Sequence, residues 1–110
     1  MNQAPLFTDA FALCEWLLPR LRDQKDDELT RRLASNSLGL LENIALALKN
    51  RFREERLEEA DEQVFLLRLQ LRMAESVNLL SERQLLHALQ LADQIGRQIG
   101  GWRRKLDQAS

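Results

Sequence analysis

Between Leu57 and Leu80 the chain reads LEEADEQVFLLRLQLRMAESVNLL, a run without Pro or Gly and rich in Leu, Glu, Gln, Arg and Ala. These residues are strong helix formers, so the run is predicted to be a single helix. Leu67 to Met73 alternates apolar and polar residues as a half-buried strand would, but so short an alternation does not outweigh the composition around it. Wound at about 100° per residue, the run carries two apolar stripes. Leu57, Ala60, Val64, Leu67, Leu71 and Ala74 form one, and Leu66, Leu69, Met73, Val77 and Leu80 form another on roughly the opposite side. Asp61, Arg68, Arg72 and Glu75 separate them along one seam, and Gln63 and Gln70 along the other. A helix in a single bundle normally buries one face, so two stripes call for two sets of partners. The rest of the chain supplies one set, and the other points to a second subunit. The periodicity leaves open which stripe faces which partner.

The remaining sequence suits a bundle around this helix. At 110 residues the chain is predicted to be one domain, 1–110, long enough for a core without disulfides or metals. Only four Gly and two Pro interrupt it, Tyr is absent, and Leu far outnumbers Val, which disfavours a sheet. The net charge of −1 gives no global attraction to nucleic acid or anionic membranes, so such binding would need a local patch. No basic segment followed by an apolar one opens the chain, and no run of about 18 apolar residues could span a bilayer. The lone Cys14 fits a reducing compartment. A soluble cytoplasmic protein is expected.

Asn2 to Pro5 reads as a lead-in, with Thr8 or Asp9 as the cap of a first helix whose core face is Phe7, Ala10, Phe11, Cys14, Leu17, Leu18 and Leu21. Pro19 should kink or end this helix within about a turn. Trp16 lies on the far side, a large apolar group without an evident home inside one subunit. Arg22 to Asp27 is a charged connector whose acidic end suits the start of a second helix. That helix is marked by Leu29, Leu33, Leu40, Ile44 and Ala47, with Leu41 and Leu48 widening the stripe and Ser37 and Gly39 permitting close approach. Asn36 reads as a satisfied amide in or beside that stripe. Lys49 to Arg56, KNRFREER, joins the second helix to the third.

Ser81 and Gln84 make a capping box for a fourth helix. Its stripe is Leu85, Ala88, Leu89, Ala92, Ile95, Gly96, Ile99 and Leu106, with Trp102 at the edge. Gly96 and Gly100 are spaced to admit a neighbouring helix, and Gly101 offers a break before Arg103, Arg104 and Lys105. Four such helices with short connectors predict an all-α, antiparallel up-down-up-down four-helix bundle assembled as a homo-oligomer.

Catalytic chemistry is not written into this sequence. A di-metal bundle needs inward carboxylates and Glu-x-x-His pairs, and Gln84 stands where the glutamate before His87 would be. His87 therefore reads as a solvent-facing histidine and Cys14 as core packing rather than a nucleophile. There is no phosphate loop, nucleophile elbow or dinucleotide fingerprint. No catalytic residues, cofactor, metal or small-molecule substrate are expected. Glu54, Glu55, Glu58, Glu59 and Glu62 interleave with Arg51, Arg53 and Arg56 as an ordinary solvated surface.

The segments EADEQVFLLRLQLRMAESVNLLSERQ and LADQIGRQIGGWRRKL, and above all IGRQIGGW at Ile95 to Trp102, carry a resemblance, joined by Trp16, Leu17 and Pro19. The chain resembles the small four-helix bundle proteins that include the accessory variability determinants of diversity-generating retroelements and the proteins encoded in intervening sequences of bacterial 23S ribosomal RNA genes. The resemblance implies a homopentameric barrel with a central channel, and partners that include a reverse transcriptase and nucleic acid. Two expectations follow. The first is a non-enzymatic oligomeric scaffold, with Trp16, Leu66, Leu69, Met73, Val77 and Leu80 as interface candidates. The second is an adaptor contacting nucleic acid through Arg51, Arg53, Arg56, Arg97, Arg103, Arg104 and Lys105.

Overall fold

A computed structural model describes residues 4–24, 27–49 and 52–109, and each predicted helix is present within them. Helix α1 spans Ala4–Arg22, α2 Glu28–Leu48, α3 Arg53–Ser76 and α4 Glu82–Ala109. Around the bundle α1 packs on α2, α2 on α3, α3 on α4 and α4 on α1, while among the described residues the backbones of the diagonal pairs stay apart and meet only through the shared core. Polar pairs mark the register: Asn43 and Asn36 of α2 meet Gln63 and Gln70 of α3, and Asp61 and Arg68 of α3 meet Arg103 and Asp93 of α4. The molecule measures 45 × 21 × 20 Å. Its long dimension matches α4, whose 28 residues extend roughly 42 Å at 1.5 Å each.

The two stripes of α3 separate cleanly. Leu57, Ala60, Val64, Leu67, Leu71 and Ala74 are all buried, and with Leu33, Leu40 and Ile44 of α2 and Ile95 and Ile99 of α4 they form the core. Leu66, Leu69, Met73 and Val77 are exposed. Leu80 is not part of that outer stripe: it is 4% exposed and belongs to the core. The helix ends at Ser76, before Leu80 could continue its periodicity. Asn78 turns left-handed (φ 66°), and the N–H groups of Asn78 and Leu79 close back on the carbonyls of Glu75 (3.0 Å) and Ala74 (2.7 Å). This is the Schellman pattern, and it swings Leu80 inward.

The other ends are set by side chains where the sequence offers them. Asp27 caps α2, its Oδ1 accepting from the Thr30 N–H at 2.9 Å and the Thr30 hydroxyl at 2.8 Å. The Ser81 box forms reciprocally, with Gln84 N–H on Ser81 Oγ (3.1 Å) and Ser81 N–H on Gln84 Oε1 (2.9 Å). Helix α3 starts earlier than expected, so Arg53 to Arg56 is its first turn rather than connector. It follows Phe52, which is left-handed (φ 51°) and provides no side-chain cap, a conformation that costs roughly 1–2 kcal/mol for a residue with a Cβ.

Helix α1 departs most from expectation. It begins at Ala4, so Pro5 belongs to its first turn, where a missing N–H costs nothing, and Thr8 and Asp9 lie inside the helix rather than capping it. Asp9 instead accepts a hydrogen bond from Gln98 Nε2 of α4 at 2.7 Å. The inward face is Leu6, Ala10, Leu13, Cys14, Leu17 and Leu21, which leaves Phe7 and Phe11 38% and 46% exposed at its rim. The helix passes Pro19 and stops at Arg22, within the expected turn.

In α4, Gly101 makes no break. A Cβ at Gly96 would stand 3.2 Å from Arg68 Nη2 and 3.5 Å from Val64 Cγ1 of α3, a true close approach, whereas Gly100 faces only Arg104 of its own helix. Asn2 and Gln3 of the expected lead-in, Lys25 and Asp26 of the connector, and Arg51 lie outside the described residues.

Candidate interaction surfaces

The most distinctive surface is the outer face of α3. Its first half carries Glu54, Glu55, Glu58, Glu59 and Glu62, all exposed, and its second half turns apolar. There Phe65 (68% exposed), Leu66, Leu69 (58%), Met73 and Val77 stand open to solvent. Phe65 escapes the stripe as read from sequence, although its i, i+4 spacing to Leu69 was the available signal. Arg68 and Arg72 border the patch and share a depression with Phe65 and Leu69. Beside it Asp61, Val64, Phe65, Arg68, Gly96 and Arg97 line a second opening between α3 and α4.

The flank of α3 toward α2 is polar and is joined to α2 by side-chain hydrogen bonds. Asn36 Nδ2 donates to the Gln63 carbonyl (3.0 Å) and to Gln70 Oε1 (3.2 Å). Asn43 Nδ2 donates to Gln63 Oε1 (3.0 Å) and Arg56 Nη1 to Asn43 Oδ1 (3.0 Å). Asn36 is thus the satisfied amide that the sequence suggested. Further apolar side chains, not anticipated, stand open on α1 and α2: Phe7 and Phe11, with ring centroids 5.8 Å apart, on the first, and Leu38 on the second. Reading both phenylalanines into the core concealed the pair on α1.

Trp16, expected to lack partners, has them within the chain. It packs half-buried against the core, its ring 4.9 Å from that of His87 on α4 and covered by the Arg20 guanidinium at 4.2 Å. Arg20 also donates to the Trp16 carbonyl at 2.6 Å. His87 is exposed on its other side. Cys14 is buried and donates to the Ser37 carbonyl at 3.2 Å. Burial pushes its thiol pKa up; Ser37 offsets part of that and the Glu42 charge adds to it. A thiol held neutral in this way is a poor nucleophile.

The basic residues fall into two sets. Arg53 donates to the Ala47 carbonyl (2.8 Å) and lies over the Trp102 ring at 5.2 Å, Arg56 holds Asn43, and Arg103 pairs with Asp61 at 2.9 Å. These three fasten elements to one another. Arg97, Arg104 and Lys105 are exposed on α4. Among the described residues no group of three His, Cys, Asp or Glu side chains is placed to hold a metal ion, and no helix is long and apolar enough to cross a membrane.

Together these features define a four-helix, all-α protein whose distinguishing chemistry lies on its outer surfaces. The model of the bAvd-like family matches residues 11–106, and the chain belongs to that family, the accessory variability determinants that its sequence resembles. No curated protein and no solved structure matches the chain.

Proposed function

We propose that this protein is a non-enzymatic scaffold that works as a homo-oligomer of antiparallel up-down-up-down bundles in the cytoplasm. One observation carries the reading: the apolar second half of α3, opposite a face already committed to the core. A contiguous exposed strip of Phe, Leu and Met beyond what one subunit can bury favours a protein contact. Connectors of only a few residues cannot return the chain along a helix of about 30 Å, which supports antiparallel neighbours. Five subunits is the number that family membership suggests. Size exclusion with light scattering should give about five times the chain mass, and a monomer at micromolar concentration would overturn the reading.

Family membership favours a second reading, an accessory adaptor that binds nucleic acid and a reverse transcriptase. Arg97, Arg104 and Lys105 offer the exposed cations, and a ring of copies multiplies them. Binding through them should weaken steeply as salt rises, because each phosphate contact releases counterions. Titrating RNA and DNA at low and moderate salt tests this, and absence of binding at low salt would remove it.

A further inference from the structure

We infer that the outer face of α3 docks on the α1–α2 face of a second copy of the chain, a head-to-tail contact rather than a symmetric pairing of two α3 helices. This rests on the homo-oligomeric reading and adds the pairing of faces to it. Two apolar patches are open on the same subunit, one at Phe65, Leu66, Leu69 and Met73, the other at Phe7, Phe11 and Leu38. Helix α3 has α2 and α4 as its neighbours and lies across the core from α1, so the patches occupy different sides of the bundle.

Charge supplies the register. On α3 the line Glu62, Leu66, Leu69, Met73 follows helical spacing, with Arg72 at its edge, so an acid precedes the apolar residues and a base follows. On α2 the line Arg31, Leu38, Glu42 has the opposite order. Glu62 and Arg72 lie roughly 15 Å apart along their helix and Arg31 and Glu42 roughly 16 Å along theirs, at 1.5 Å per residue. With α3 of one copy parallel to α2 of the next, Glu62 meets Arg31 and Arg72 meets Glu42, and Leu69 and Met73 settle over Leu38 and Phe11. Arg31 also pairs with Glu28 at an exposed position, 3.2 Å away, and a guanidinium can serve both. Leu18, Arg31 and Ala34 line a depression between α1 and α2 at the Arg31 end of this face. Exposed ion pairs add little affinity but fix orientation, and the apolar contact holds the copies together.

A symmetric α3–α3 contact could also oppose Glu62 to Arg72, yet it would leave Phe7, Phe11 and Leu38 bare on every subunit. The head-to-tail contact covers both patches, and because its two faces are neither the same nor opposite, repetition turns and can close a ring.

Cross-linking with a short bismaleimide tests the pairing, the unsubstituted chain with its buried Cys14 serving as control. The double variant Leu38→Cys/Leu69→Cys should give a ladder of covalent oligomers, and each single variant should remain uncrosslinked. Dimers from Leu69→Cys alone would establish the symmetric contact and overturn the proposal. No products from the double variant, in protein whose scattering mass is still oligomeric, would overturn the pairing while leaving the scaffold reading intact; a monomeric mass for the unsubstituted chain would overturn both.

Discussion

Cys14 shows how a single side chain records its surroundings. Its thiol is enclosed between α1 and Ser37 of α2, and burial holds its pKa above the ordinary thiol value. The folded pKa therefore exceeds the unfolded one, so the associated stability is complete below the unfolded pKa and is lost as pH rises through the folded one. Native protein should react with an aromatic disulfide reagent far more slowly than urea-unfolded protein at mildly alkaline pH. Its urea midpoint should fall as pH climbs past the ordinary thiol range, and Cys14→Ala should abolish that part of the fall. Equal reaction rates in the two states would show the thiol to be accessible. The burial of Cys14 was legible from its place on an apolar face. The housing of Trp16 was not, because His87 meets it only when α4 folds back alongside α1, and helical spacing within α1 carries no sign of that.

Elements were legible to different depths. The inner stripe of α3 and the Ser81 capping box could be read directly, since each depends on residues within a few turns. The face of α1 was legible only in part: Ala10, Cys14, Leu17 and Leu21 could be read as inward, but Leu6 and Leu13 compete with Phe7 and Phe11 for the same period, and the neighbouring helices accepted the leucines. Gly96 and Gly100 look equivalent in sequence but only Gly96 has another helix against it. At Gly100 the nearest atom a Cβ would meet is Arg104 Nη1 of its own helix, 3.5 Å away, an ordinary contact. Gly100→Ala should therefore raise stability by about 0.5–1 kcal/mol, the helix-propensity gain. Gly96→Ala must displace Arg68, which is tied to Asp93 at 2.7 Å, and should gain less or lose. Urea unfolding of both variants checks the ordering, and an equal gain at both sites would remove the distinction.

At the scale of the molecule, the question left open by periodicity was which stripe of α3 faces inward. Both stripes are leucine-rich, so hydrophobicity alone does not separate them. The buried stripe contains Ala60, Val64 and Ala74, small or branched residues that let neighbouring helices come close, whereas the exposed one holds no alanine and, apart from Val77, consists of the longer Leu66, Leu69 and Met73. This assignment makes Leu67→Glu and Leu69→Glu opposite experiments, although the residues are two apart. Leu67 is fully enclosed, and a carboxylate there loses the leucine packing and is left unpaired in the core, a loss of about 3–5 kcal/mol or more. That variant should unfold or survive only at acid pH, where the carboxyl is neutral. Leu69 is 58% exposed within one subunit, so its glutamate should change subunit stability by no more than about 0.5 kcal/mol. Its effect should fall on assembly, with light scattering shifting toward the single-chain mass while far-UV circular dichroism stays helical. Loss of helicity in both variants would mean that the outer strip serves the fold of one subunit after all, and retained mass in Leu69→Glu would move the contact between copies away from α3.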